Sequence, residues 1–338
     1  MNQDSDGFSG GRRRFLGSTG RAGLLALGAP ALAAGWAAEA RGAAARGYVA
    51  GVYGLEIDSV FVGYVSAFTG GNNTADAISE KPGPEFVARK HPGPPHVEPI
   101  TVETSLPMGK PFYNWIKSSI EPGPKFVRKS GAIIEYDSAR REMGRRAFTN
   151  ALITEVELPS CDGAAKDAAR LTVTFAPETL RLIGSKGAGA PPLPKGAQWL
   201  RNAFKLAIPG LDTVRTSKIA GLEVKVASAP AATGELRDYK AQPTMIEVHN
   251  LAVTIPDTSI GPFYAWLDDF LLKGNSGQDK EKTGTLDYLG PDMKATLLSV
   301  TLYNLGILRV APEAAGTEAI RRSTVEMYCE AIRADFKV

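Results

Sequence analysis

Gly109-Lys110-Pro111-Phe112-Tyr113-Asn114-Trp115-Ile116 and Ser259-Ile260-Gly261-Pro262-Phe263-Tyr264-Ala265-Trp266-Leu267 share the order Pro-Phe-Tyr-x-Trp-aliphatic, with Pro262 standing 151 residues after Pro111. Working outward, the same offset of 151 sets Leu55-Glu56-Ile57 against Leu206-Ala207-Ile208 and Ile100-Thr101-Val102 against Leu251-Ala252-Val253. An offset of 154 sets Phe148-Thr149-Asn150-Ala151-Leu152-Ile153 against Leu302-Tyr303-Asn304-Leu305-Gly306-Ile307. Self-similarity over a period this long implies two copies of one unit, and the 338 residues are enough for each copy to bury its own core.

Each copy predicts one short amphipathic helix. Phe112, Trp115, Ile116 and Ile120 stand at i, i+3, i+4 and i+8, and Phe263, Trp266, Leu267, Phe270 and Leu271 at i, i+3, i+4, i+7 and i+8. Phe112, Trp115, Ile116, Phe263, Trp266 and Leu267 are therefore expected to form the repeated core; as an aromatic stripe they also have the makings of a ligand face, but the repetition argues for packing. Pro111 and Pro262 fall in the first turn, where a missing N–H costs nothing, and Gly123 and Gly274 mark the ends.

Around the helices the pattern is that of strands. Residues 52–69 read as two strands about the turn Asp58-Ser59, and the second copy is expected to open in the same way before Pro209-Gly210. Further strands are expected at 97–106, 131–137, 146–158 and 170–175, and at 245–255, 284–289, 294–310 and 323–328. Residues 70–96 contain Lys81-Pro82-Gly83-Pro84 and His91-Pro92-Gly93-Pro94-Pro95. So many prolines predict a long loop without regular structure, with a shorter equivalent at 228–243. The fold class expected is mainly β with α: two tandem small antiparallel β-barrel or sandwich domains, each with one packed helix, at 48–183 and 198–338. Residues 184–197, rich in Gly and Pro, read as the linker between them.

Residues 1–47 read as an export signal. Arg12-Arg13-Arg14-Phe15-Leu16 resembles the twin-arginine pattern of bacterial Tat signals, carried by Arg12, Arg13, Phe15 and Leu16, although Gly11 stands where Ser or Thr is usual. An apolar run over 22–38 follows, interrupted by Pro30 and several glycines and so too weakly hydrophobic for a stable membrane anchor. The other reading is an unstructured arm with a solvated basic triplet.

A formal charge of +3 without clustered excess basic residues argues against nucleic-acid binding. Cys161 and Cys329 form neither a disulfide framework nor a metal motif; a single bridge between them or two buried thiols are both compatible with the spacing. His91 and His96 are five apart in a proline-rich stretch and His249 is remote, so no metal is expected. Asp268-Asp269 and residues 279–282 have no counterparts in the first copy and read as solubility charges. Arg140, Arg141, Arg145 and Arg146 flank a turn and serve as a solvated hairpin tip or as a contact with a neighbouring subunit. No nucleophile elbow, phosphate loop or dinucleotide fingerprint occurs in the region after the signal, and the chain is read as a non-enzyme without cofactors.

Phe112-Tyr113-Asn114-Trp115-Ile116, the strand around Phe148-Thr149-Asn150-Ala151, the loop Pro159-Ser160-Cys161-Asp162-Gly163-Ala164 and the strand Leu171-Thr172-Val173-Thr174-Phe175-Ala176-Pro177-Glu178 together resemble the phage tail tube protein family. The resemblance covers nearly all of the first copy and, more weakly, the second, where 311–316 lack the aspartate and Glu330 keeps only rough register. It implies a non-enzymatic structural protein whose partner is itself: barrels pack side by side into rings or hollow tubes, with three two-barrel chains supplying the six barrels of a ring. Together with the signal this implies an exported assembly in the periplasm, at the cell surface or outside the cell. The alternative is a monomeric periplasmic binding or accessory module built from a duplicated barrel.

Overall fold

The computed structural model describes residues 52–337 apart from 81–82, 84–86, 106, 124, 186, 193–198, 232–239 and 315–319. The Tat-like motif at Arg12, Arg13, Phe15 and Leu16 lies outside the described residues.

The first half runs β1 (Tyr53–Ile57), β2 (Val60–Val65), β3 (Ala67–Gly70), β4 (Asn73–Glu80), β5 (Arg89–Val97), β6 (Ile100–Thr104), α1 (Lys110–Ile120), β7 (Lys129–Tyr136), β8 (Glu142–Glu157), β9 (Cys161–Asp162), β10 (Leu171–Ala176) and β11 (Thr179–Gly184). The second runs β12 (Phe204–Ala207), β13 (Lys218–Ile219), β14 (Glu223–Ala231), β15 (Lys240–Val248), β16 (Leu251–Pro256), α2 (Gly261–Leu267), β17 (Lys282–Leu289), β18 (Thr296–Pro312) and β19 (Arg322–Phe336). The fold is mainly β, barrel-like, with antiparallel pairing between the named strands.

The long strand β8 organises the first half. Its residues 142–151 pair with β7 on one side, residues 144–149 pair with β11 on the other, and residues 152–157 continue alongside β10. In the second half β18 takes the same part, between β17 and β19. The registers repeat: Phe175 faces Ile153 and Met327 faces Ile307, and each long strand then bulges by one residue, at Thr154 and Leu308. Four residues before each bulge an asparagine adopts left-handed backbone, Asn150 at φ 50° and Asn304 at φ 54°. Asn tolerates that conformation better than most residues. Its side-chain amide donates to a glutamate, Asn150 to Glu178 between β10 and β11 at 2.8 Å and Asn304 to Glu330 in β19 at 2.6 Å. In the first half Pro177 separates β10 from β11, whereas β19 passes the corresponding point unbroken.

The turn at Asp58 and Ser59 forms as expected, both residues having positive φ (49° and 65°) as a tight hairpin with the twist of its strands requires. Three expectations need correction. Residues 70–96 are not an irregular loop: β4 and β5 form a two-stranded ribbon in which Pro92 faces Ala77 and Pro95 faces Ala75. Each strand of such a ribbon leaves one side unpaired, so a proline whose missing N–H falls on that side loses no ladder bond. The described residues of 228–243 likewise contribute to a second ribbon, β14–β15. The second half does not open with a hairpin either, because β12 pairs with β17 and the chain then turns through 208–217 before β13 joins β16.

Apolar alternation in β6, β10, β16 and β19 places Ile100, Val102, Val173, Phe175, Val253, Ile255, Val325 and Met327 in the interior. One buried cluster runs through residues of both halves, and 52–337 lie in one compact unit. The described part of the segment read as a linker is tied down: the Ala190 N–H donates to the Arg140 carbonyl at 2.7 Å, Arg140 donates to the Pro191 carbonyl at 2.7 Å, and so does the Tyr64 hydroxyl.

Candidate assembly surface

The two helices carry the repeated motif into different surroundings. In α1, Phe112, Trp115 and Ile116 are buried, and the indole N–H of Trp115 donates to the Val127 carbonyl at 2.8 Å. Tyr113 beside them is also buried. Its hydroxyl accepts the Met108 N–H at 3.0 Å and its ring stacks on Phe336 with centroids 4.2 Å apart, and burial pushes its pKa up. In α2, Phe263 and Trp266 are buried, Leu267 is partly so, and the buried indole N–H of Trp266 has no hydrogen-bond partner among the described residues. The helix continues as a π-turn over Asp268–Leu272, where Phe270 is buried. Tyr264, at the place corresponding to Tyr113, is 45% exposed, and Leu271 and Leu272 are 51% and 73% exposed.

Three seams join the halves. Glu223, Val224 and Lys225 of β14 pair with Glu157, Val156 and Glu155 of β8, so a strand of the second half extends a sheet of the first. Cys161 and Asp162 of β9 pair with Ile219 and Lys218 of β13, which extends the sheet of the second half with a strand of the first. Finally α1 lies against the end of β19: besides the Tyr113–Phe336 stack, Lys117 is 3.9 Å from Asp335 and the Ala334 N–H donates to Glu121 at 3.2 Å.

At the first seam the carboxyls of Glu155 and Glu223 can form a hydrogen bond when one of them carries a proton. That bond, with burial and the neighbouring negative charge, holds Glu155 above the usual carboxylate range, and the same bond holds Glu223 below it. Lys225 and His249 face Glu223, the imidazole at 2.7 Å. At the second seam Cys161 is buried beside Tyr288, whose hydroxyl donates to the Pro159 carbonyl at 2.7 Å. Burial raises the Cys161 thiol to about 12 and the Cys329 thiol to about 11, so both are free, protonated core residues and no bridge joins them.

The remaining candidates are committed to local partners. His96 hydrogen-bonds Thr74 at 2.8 Å and His91 lies 3.9 Å from Glu80; among the described residues no group of three His, Cys, Asp or Glu is placed to hold a metal. Arg141 pairs with Asp137, Arg145 with Glu142 and Glu56, and Arg146 with Glu135. Asp268 pairs with Lys273 and Asp269 accepts from Asn275. Among the described residues no helix is long and apolar enough to cross a membrane. Sequence reading missed the seam residues Glu155, Glu223 and Phe336: they lie in β8, β14 and β19, and the period of a strand does not say which edge it pairs with. Of the Asn150–Glu178 and Asn304–Glu330 pairs, the asparagines did leave a signal, in the repeat at offset 154, with the glutamates only in rough register.

The fold is a barrel-like β-sheet protein in which, among the described residues, the β4–β5 ribbon pairs only with itself and β18 has no strand beside it on the β17 side beyond Leu305. Residues 49–181 match the family model described as T4-like virus tail tube protein gp19. The chain is similar in structure to proteins of an extracellular contractile injection system, the PVC sheath-tube complex in the extended state, at 19% identity over 39% of this chain and 88% of that one, TM-score 0.34. It is also similar to a chain of the anti-feeding prophage cap, at 13% identity over 45% of this chain and 97% of that one, TM-score 0.34. A third likeness is to Hcp1 from Flavobacterium johnsoniae, at 12% identity over 40% of this chain and 96% of that one, TM-score 0.26. No curated protein matches the chain. The assignment of residues 49–181 rests on the family match.

Proposed function

We propose that this chain is a structural tube protein that self-assembles into rings or hollow tubes. In this reading it consists of two tandem tail-tube-like domains, 48–183 and 198–338, joined by 184–197 and preceded by a Tat-like export signal over 1–47. The observation that carries the reading is the family match over 49–181 combined with the recurrence of its strand registers, bulge and Asn–Glu pair in the second half. With two barrels per chain, three chains supply six barrels, and stacking such rings gives a tube. The tail tube family is structural, and the residues that sequence singles out by repetition pack the core. Export places the assembly in the periplasm, at the cell surface or outside the cell.

The test is electron microscopy with light scattering on protein beginning after Arg46. Rings or tubes with a central hole are expected. A particle of one chain's mass at every concentration overturns assembly and leaves the monomeric binding module. Cleavage mapped by terminal mass analysis of exported protein, lost when Arg12 and Arg13 are both replaced by Lys, tests the signal separately.

A further inference from the structure

The seams between the halves are heterologous: the β14–β15 ribbon and the end of β19 in the second half meet β8 and α1 in the first. At these two seams the second half donates and the first accepts, so the matching donating face of the first half and accepting face of the second are not used there; the β9–β13 pairing is a separate seam. The unused accepting face is in the second half. Residues 306–312 of β18 have β19 on one side and, among the described residues, no strand on the other, where β17 reaches only to Leu305. The unused donating face is in the first half. The β4–β5 ribbon pairs only with itself, β3 ends its sheet path, and β11 exposes Leu182 at 71% and Ile183 at 46%. Unpaired edges and exposed leucines of this kind are what proteins ordinarily cover.

We infer that the β4–β5 ribbon and β11 of one chain dock on β18 and α2 of a second copy, repeating between chains the seam seen within one. This rests on the tube-forming reading and names its interface. The pairing follows from the registers. Val224 corresponds to Asn73, since Val224 faces Val248 and Asn73 faces Val97, both pairs 151 residues apart. Val156 corresponds to Val310 at offset 154. The observed Val224–Val156 pair thus becomes Asn73 opposite Val310, flanked by Asn72 opposite Ala311 and Thr74 opposite Arg309. Around the helix, Glu121 and Ala334 correspond to Leu272 and Leu182. The polar contact within the chain becomes an apolar one between chains, joining two leucines exposed at 73% and 71%. Tyr264 then covers the end of β11 as Tyr113 covers Phe336. A head-to-tail contact of this type propagates, closing into a ring or continuing as a filament.

The experiment mixes Asn73→Cys and Val310→Cys chains, whose native Cys161 and Cys329 stay buried, and oxidises the mixture. A disulfide-linked dimer of the two variants is expected only in the mixture. Leu182→Glu and Leu272→Lys, which alter exposed side chains only, are expected each to raise the concentration of half-assembly about tenfold or more, and together in one chain to restore it. If wild-type chains assemble while the mixture gives no cross-link and Leu182→Glu assembles unchanged, the proposed interface is wrong and the tube reading stands. If wild-type chains remain single under all conditions, both fall.

Discussion

Tyr113 and Tyr264 occupy the same position in two copies of one helix, yet one is buried under a stacked phenylalanine and the other is nearly half exposed. Nothing in the motif distinguishes them. The difference lies in what the chain places beside each helix: α1 receives the end of β19, while α2, among the described residues, receives no strand in that place. The same contrast holds along the sheets, where β8 is extended by β14 and the matching flank of β18 has no strand beside it among the described residues. Local sequence therefore builds equivalent helix faces and strand registers, and connectivity decides which face is finished within the chain.

The largest expected effect sharpens the comparison inside the cores. Trp115→Ala should cost about 3–5 kcal/mol, as large-to-small changes of buried aromatics do. Replacement by Phe then separates shape from hydrogen bonding. Trp115→Phe leaves the Val127 carbonyl without its donor, whereas Trp266→Phe removes a buried N–H that had no partner. The cost at 115 should exceed that at 266 by about 1 kcal/mol, read by urea unfolding. Equal costs would show that the two indoles sit in equivalent sites.

The tyrosines give the next effect. At a chain concentration low enough to suppress association, Tyr113→Ala should lose about 3 kcal/mol, because it opens a cavity against Phe336 and frees the Met108 N–H. Tyr264→Ala should stay within about 0.5 kcal/mol, as exposed substitutions do. A large loss at Tyr264 in single chains would mean that some contact within the chain already covers it.

A pair of equal effects checks the other side of the comparison. Asn150 and Asn304 have the same left-handed backbone and the same glutamate partner, so Asn→Ala should cost about 1–2 kcal/mol at each from backbone strain and the lost hydrogen bond. Asn→Gly should recover the strain part. Thermal unfolding of the four variants decides, and a loss at only one site would break the structural repeat.

Much of this was legible in sequence because it is local. The helix faces at Phe112/Trp115 and Phe263/Trp266, the Asp58-Ser59 turn and the alternation over 171–175 follow from spacing alone. The ribbon β4–β5 was hidden because Pro92 and Pro95 forbid a central strand but not a two-stranded one. β13 was missed because two residues such as Lys218 and Ile219 carry no period. The seams were illegible for a deeper reason. Val224 beside Val156 is a choice of edge made by the whole chain, and the same residues would read identically if β14 paired elsewhere. What sequence held was the repeat itself, from which the unfilled seam is found once the filled one is seen.

The smallest effect tests whether the two seams share chemistry. In the filled seam Glu155 is held above and Glu223 below the ordinary value of 4.5, each chiefly by the hydrogen bond between them. The raised carboxyl contributes stability below 4.5 that is lost as pH rises through its folded value. The lowered one contributes stability above 4.5 that is lost as pH falls through its own. Their sum peaks in a mildly acidic window and declines on both sides. Lys225 and His249 beside Glu223 moderate the decline, and solvent screens it, since the two carboxylates are 37% and 22% exposed. Glu155→Gln keeps an amide donor at every pH. It should leave the mildly acidic melting temperature unchanged and raise stability near pH 7 by a few tenths of a kcal/mol. In the unfilled seam Arg309, Asn72 and Thr74 stand where Glu155, Glu223 and Lys225 stand in the filled one, so no acid pair forms there. Assembly should therefore lack this pH term while folding keeps it, and a parallel shift of melting temperature and half-assembly concentration between pH 5 and pH 7 would show that the seams are not equivalent in the way their registers imply.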